Sequence, residues 1–147
     1  MTGRRILIAL TLVVVVLGTT SPATASTRLQ RMRSRMLYQV NTSRRNHGLR
    51  PLKLNWPLSQ YAWRHSRAMA NSHDVYHTAN TWAQVQPLGA SSWGENVGMS
   101  WDLRVLERAF MASPTHRENI LAQRFRRVGI GVVTRGRYRW VTIDFYG

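Results

Sequence analysis

The chain has 147 residues, 21 of them basic against six acidic, for a formal net charge of +15, and it contains no cysteine. Without thiols, cysteine catalysis, cysteine metal ligation and disulfide bracing are all excluded, so stability has to come from packing. The six tryptophans suit that need and are expected in the core and in the walls of any cleft.

Arg4 and Arg5 precede an apolar-rich run from Ile6 to Leu17, and Ala23-Thr24-Ala25 supplies the small-x-small pattern of a signal-peptidase site. The run is short for a membrane span, which needs roughly 20 residues. Residues 1–25 are therefore expected to be a signal peptide, giving a secreted protein that starts near Ser26. Residues 26–147 suffice for one domain with its own core, and no repeat or linker divides them.

Thr27 to His47 reads as a helix, with Leu29, Met32, Met36, Leu37 and Val40 at three-to-four spacing and Gly48 to end it. Asn55-Trp56-Pro57 caps and opens a second helix in which Leu58, Tyr61, Ala62, His65 and Met69 share a face. His65 on that face is expected to be a buried, hydrogen-bonded structural histidine. Residues 80–92 are polar and turn-rich and predict irregular structure. Trp93 to Met99 predicts a strand or extended loop. Asp102 can cap a third helix with Leu103, Leu106, Ala109 and Phe110 inward. Ser113-Pro114 breaks it and starts a short helix, where Thr115 and Glu118 fit a capping box. Val128 to Thr134 and Arg137 to Phe145 predict a hairpin around Arg135-Gly136. The last strand carries bulky groups on both faces, Tyr138 and Trp140 against Val141, Ile143 and Phe145, so helices are expected above and below the sheet.

Three polar side chains stand out within segments built for packing or turning. His77 follows the second helix in a polar loop, where it is either a ligand or a solvent-facing residue. His73 and His77 have the i, i+4 spacing of a zinc-protease helix. However, Asp74 stands where that motif needs Glu, and no third ligand follows. Glu95, between Gly94 and Asn96, either projects into a cleft or caps backbone amides of its own loop. His116 lies in the first turn of a helix, which disfavours its protonated form and leaves the ring available to a metal or a proton.

Read in order, several motifs add up: Asn46 with Gly48, Leu52 to Asn55 with Leu58, Ala62 to Ala70, His77, and Gly94-Glu95-Asn96-Val97-Gly98. Ser113-Pro114-Thr115-His116-Arg117-Glu118-Asn119-Ile120-Leu121, Val128-Gly129-Ile130-Gly131-Val132 and Trp140 to Phe145 follow. The combination spans roughly Met36 to Phe145. It resembles the family of cysteine-rich secretory proteins, antigen 5 and pathogenesis-related 1, the CAP domain, in its short, cysteine-free bacterial form. The resemblance implies an α+β fold, a three-layer α/β/α sandwich with a small, mostly antiparallel sheet between helices. It also implies a central cleft lined by two histidines and acidic residues, which in several relatives binds a divalent cation such as zinc. By position, His77, Glu95 and His116 match the family's two histidines and first glutamate, and they are the expected cleft and metal set. The second glutamate has no counterpart: its slot falls at Ser113, and neither Glu107 nor Glu118 matches it.

The basic excess attracts polyanions. Arginine-rich codon usage explains Arg over Lys, since Lys53 is the single lysine, but not the shortage of acids. No nucleic-acid motif is present, so an anionic envelope surface, lipid or wall polymer, ranks above nucleic acid as partner. The expected function is a secreted, non-catalytic binding module whose cleft holds a divalent cation or a small hydrophobic ligand. A metal-dependent hydrolase using the same three residues is the alternative, and a cationic membrane-active protein a third reading.

Overall fold

The computed structural model describes residues 22–147, with side chains from residue 27 on. The expected signal peptide therefore lies outside the described residues, except for residues 22–25. Those four begin α1, Pro22–Asn46, which starts earlier than the apolar spacing predicted. The elements that follow are β1 Lys53–Leu54, α2 Trp56–Ser72, α3 Trp82–Val85, a 3₁₀ turn Gln86–Leu88 and β2 Trp93–Ser100. Then come α4 Leu103–Ala112, α5 Pro114–Leu121, β3 Arg127–Arg135 and β4 Tyr138–Tyr146. Residues 82–88 are thus helical where irregular structure was expected. Among the described residues no helix is long and apolar enough to cross a membrane.

The sheet order is β1-β3-β4-β2, with β1 parallel to β3 and the other two pairings antiparallel. The hairpin turns at Gly136-Arg137, between the paired Arg135 and Tyr138 and one residue later than read from the sequence, and Gly136 takes the positive φ such a turn requires. Side-chain alternation sends Val128, Ile130, Val132, Val141, Ile143 and Phe145 to one face. There they meet Met36 and Val40 of α1, Leu106 and Phe110 of α4 and Ile120 of α5 in the main core. On the other face α2 closes a smaller core of Met69, Ala70, Val97 and Trp140. The last strand is buried on both faces, and the three-layer α/β/α arrangement follows from that.

Gly129 and Gly131 let α2 sit unusually close to the sheet. A Cβ at Gly129 would lie 2.5 Å from Leu58 Cγ, and one at Gly131 would overlap the Ala62 carbonyl. Asn55 caps α2 by accepting from Leu58 N at 2.8 Å, and Asp102 caps α4 by accepting from Arg104 N at 2.8 Å. Beyond Leu54, β3 has no strand on its β1 side among the described residues. Ser59 Oγ takes the Ile130 N–H (3.1 Å), and the buried Arg33 donates Nε to the Ile130 carbonyl (2.8 Å).

Several side-chain placements differ from the periodic reading. Tyr61 is exposed and His65 only half-buried, because the buried stripe of α2 is Leu58, Ser59, Ala62, Ser66, Met69 and Ala70. In α4, Ala109 is exposed, and Glu107 turns inward to accept from Ser43 Oγ of α1. The Thr115–Glu118 capping box does not form; the N-cap of α5 is Ser113, whose side chain makes no capping bond. Of the tryptophans only Trp140 is buried; Trp56, Trp82, Trp93 and Trp101 are exposed.

Candidate functional site

Glu95 sits on β2, the edge strand, directly across from Asp144 of β4. Alternation turns Glu95 and Val97 toward α2, and Gly94, Asn96 and Gly98 toward α4 and α5. On that second side, a Cβ at Gly98 would lie 2.9 Å from Leu106, so bare backbone is what lets α4 approach.

α2 ends at Ser72, where His73 takes the left-handed conformation (φ 57°) and its N–H bonds back to Met69 O. His73 and His77 therefore do not share a helical face. The loop that follows is held by His65, whose Nε2 meets Tyr76 O at 2.8 Å and whose ring stands edge-on to Tyr76 at 5.1 Å. His65 is structural, as expected, but it works at the surface rather than in the core.

The loop delivers His77 and Thr78 to Glu95. The Glu95 carboxylate is 2% exposed. It accepts from His77 Nδ1 at 2.7 Å, from Thr78 N at 2.9 Å and from Thr78 Oγ1 at 2.5 Å. A carboxylate only accepts, so the His77 proton is on Nδ1 and the Nε2 lone pair is turned away from Glu95. The two roles read for Glu95, loop cap and cleft carboxylate, are one arrangement.

His116 is brought to the same place by two asparagines. Asn96 Nδ2 donates to His116 O (2.9 Å), and Asn119 Nδ2 donates to Glu95 O (3.1 Å) and Asn96 Oδ1 (2.9 Å). These bonds clamp α5 onto β2. The His116 ring packs against Phe110 with centroids 4.9 Å apart, and its Nδ1 lies 3.0 Å from Ser113 Oγ. Ser113, where a second carboxylate was looked for, thus supplies a hydroxyl to the imidazole instead. Burial first, and then the charge His77 carries when protonated, hold the His116 pKa below its usual value.

Beneath Glu95 lies a residue that the sequence did not single out. Asp144 is 4% exposed, and its Oδ1 has no partner among the described residues. Burial, then the charge of Glu95 and a hydrogen bond to it, push its pKa well above the carboxylate range. Asp144 therefore holds a proton more tightly than an ordinary carboxyl, in contact with Glu95. Alternating apolar and polar residues along β4 could not reveal this pairing, which depends on the β2–β4 register.

The site brings His77, Glu95 and His116 together, though not as three open ligands. Among the described residues no three His, Asp or Glu side chains are grouped so as to hold a metal ion. Both Glu95 oxygens are engaged by protein donors. What the arrangement leaves for a ligand is the Nε2 of each imidazole, with Glu95 orienting the His77 ring from behind.

The profile of the cysteine-rich secretory protein family, CAP, matches residues 37–145. The Bacillus subtilis protein YkwD, itself uncharacterized, is 28% identical over 126 residues, covering 80% of this chain and 49% of its own length. An extracellular protein containing an SCP domain from Bacillus anthracis superposes with a TM-score of 0.71 at 21% identity. The match covers 88% of this chain and 44% of that one. A cysteine-rich secretory protein from Staphylococcus aureus gives 0.68 at 23% identity, over 81% and 39%. An outer surface protein from Borrelia burgdorferi gives 0.68 at 14% identity, over 77% and 90%. The chain spans about half the length of the Bacillus relatives it matches. The fold, the interlocked Gly94–Gly98 and Ser113–Leu121 segments and the match over residues 37–145 agree: the chain belongs to the CAP family.

Proposed function

We propose that this protein is a secreted, non-catalytic CAP module that binds a ligand at the cell envelope through the cleft of His77, Glu95 and His116. The observation that carries the reading is the state of Glu95. Three protein donors and the Asp144 carboxyl engage it, so it positions His77 rather than standing free as a general acid or base. The extracellular description of the Bacillus anthracis relative and the outer-surface description of the Borrelia protein support an address outside the cell.

The ligand is a divalent cation such as zinc, a small amphiphile, or the two together. The cation would rest on Nε2 of His77 and Nε2 of His116 with water completing the shell, since the three-residue set does not enclose one. Exposed Val75 and Tyr76, beside His77 in the chain, offer apolar surface to an amphiphile. The basic excess would dock the protein on an anionic lipid or wall polymer. A hydrolase on the same cleft has one contact in its favour, His116 Nδ1 to Ser113 Oγ, but among the described residues no carboxylate is bonded to His116 to orient it as a base.

Calorimetric titration of the tag-free domain with zinc tests the cation. Binding lost in both His77→Ala and His116→Ala supports it, and binding unchanged in both removes it. Zinc-dependent turnover of an ester, peptide or glycan, lost with Ser113→Ala or His116→Ala, would replace the binding reading with the hydrolase.

A further inference from the structure

A concave site lies at the edge of the sheet opposite Glu95. Arg50, Pro51, Lys53, Arg126 and Arg127 line a depression of about 440 Å³, a volume within the range of small-ligand pockets. Four of these five residues are cations and none is an acid. Among the described residues the ion pairs are His77–Glu95 and Arg104–Asp102, so none of the four cations is neutralised by a carboxylate.

The placement of these charges opposes stability. Lys53 and Arg127 are direct partners across the parallel β1–β3 ladder, and both are exposed. Like charges facing each other across a ladder destabilise the pairing. The walls are also braced by hydrogen bonds. Arg44, 1% exposed, donates Nε to Arg50 O (2.9 Å) and Nη1 to Ile120 O (2.7 Å) and Ala122 O (3.0 Å). Asn41 and Leu52 exchange two bonds, Nδ2 to Leu52 O at 3.0 Å and Leu52 N to Oδ1 at 2.7 Å. Lys53 N donates to Arg126 O at 3.0 Å, joining the two walls. Cations crowded on a braced scaffold, with no acid among them, are arranged for an anion from outside the chain.

We propose that this depression is a phosphate-binding site that takes the phosphate of an anionic headgroup or of a free glycerol phosphate. Several guanidinium and ammonium donors on one side suit the oxygens of a phosphate, and the volume leaves room for the glycerol that carries it. The inference deepens the envelope-docking reading by naming where the anion sits, and it rests on that reading only for its setting.

The test uses the mature domain, a Lys53→Ser/Arg127→Ser variant, and an Arg137→Ser/Arg139→Ser variant of equal net charge. Arg137 and Arg139 lie at the opposite end of the sheet, beside Trp101. Glycerol phosphate should give saturable amide NMR shifts at Leu52–Leu54 and Arg126–Val128 and should raise the melting temperature. Both effects should vanish in Lys53→Ser/Arg127→Ser. That variant should melt no lower than the wild type without phosphate, because the like-charge pair is gone. Retention on phosphatidylglycerol vesicles should fall about tenfold in it, and less in the control variant. Stronger binding to vesicles than to glycerol phosphate assigns the site to a lipid headgroup; the reverse assigns it to the soluble phosphate. Absence of saturable shifts overturns the site, as does equal loss of vesicle retention in the two variants. A wild type that gives the shifts yet ignores the vesicles removes envelope docking and leaves the site standing.

Discussion

Replacing Glu95 by Gln removes one charge and leaves the shape of the site almost unchanged. In the native protein the carboxylate receives His77 Nδ1 (2.7 Å), Thr78 N (2.9 Å) and Thr78 Oγ1 (2.5 Å), with the Asp144 carboxyl beside it. An amide in that position offers one oxygen to these donors and turns two N–H groups of its own toward the rest. A hydrogen bond to a charged group is worth about 1.5–3 kcal/mol net. The share of His77 is discounted because its side chain is 63% exposed. The expected loss is about 2–4 kcal/mol. It is read in urea titrations as a lower midpoint at constant slope. The same variant should free the loop carrying His77. The imidazole nitrogens, followed by NMR, should then lose the preference for a proton on Nδ1 while the main core remains protected from exchange. A loss below about 0.5 kcal/mol, with the His77 tautomer unchanged, would refute the assignment of Glu95 as the group that sets His77.

Gly131→Ala should destabilise the domain by about 3 kcal/mol, because the new Cβ overlaps backbone atoms of Ala62 and Trp63 that cannot turn aside. Thermal denaturation should show a drop of about 10 °C. Asp144→Asn tests the buried proton through pH. The folded-state pKa of Asp144 is raised, so the folded chain binds a proton that the unfolded chain has released. Its contribution is fully present below about pH 4 and is lost as pH climbs toward the folded-state pKa, at up to about 1.4 kcal/mol per pH unit. The Asn variant should lack this decline when urea midpoints are compared at rising pH. A parallel pH dependence in the two proteins would mean that Asp144 ionises freely.

Much of the fold was legible because it is written in local chemistry. Asn55 and Asp102 cap helices wherever a helix follows them, and Gly136 turns a hairpin between two β-branched runs. The apolar residues of β4 declare two buried faces with no knowledge of what covers them. The errors arose where burial depends on a distant partner. Tyr61 and Ala109 lie on plausible helical stripes yet face water, because the sheet contacts a stripe about one residue away. Glu107 faces inward because Ser43, 64 positions earlier, offers it a hydroxyl. Exposed Trp56 lies against the buried Arg33 guanidinium, 4.4 Å from its ring centroid, a pairing between two helices that no periodicity encodes.

The candidate site residues divide the same way. Sequence by itself determined the family, the absence of thiol chemistry, the basic excess and the identities of His77, Glu95 and His116. These are matters of residue type and order along the chain. Tertiary structure decided their roles. It spent the Glu95 carboxylate on His77 and Thr78, placed the buried Asp144 behind it and clamped His116 into reach through Asn96 and Asn119. At the other sheet edge it set Lys53 opposite Arg127. Each of these effects depends on groups far apart in the chain lying within a few ångströms of one another. Hydrogen bonding, desolvation and charge repulsion act over that distance, and sequence order does not state it.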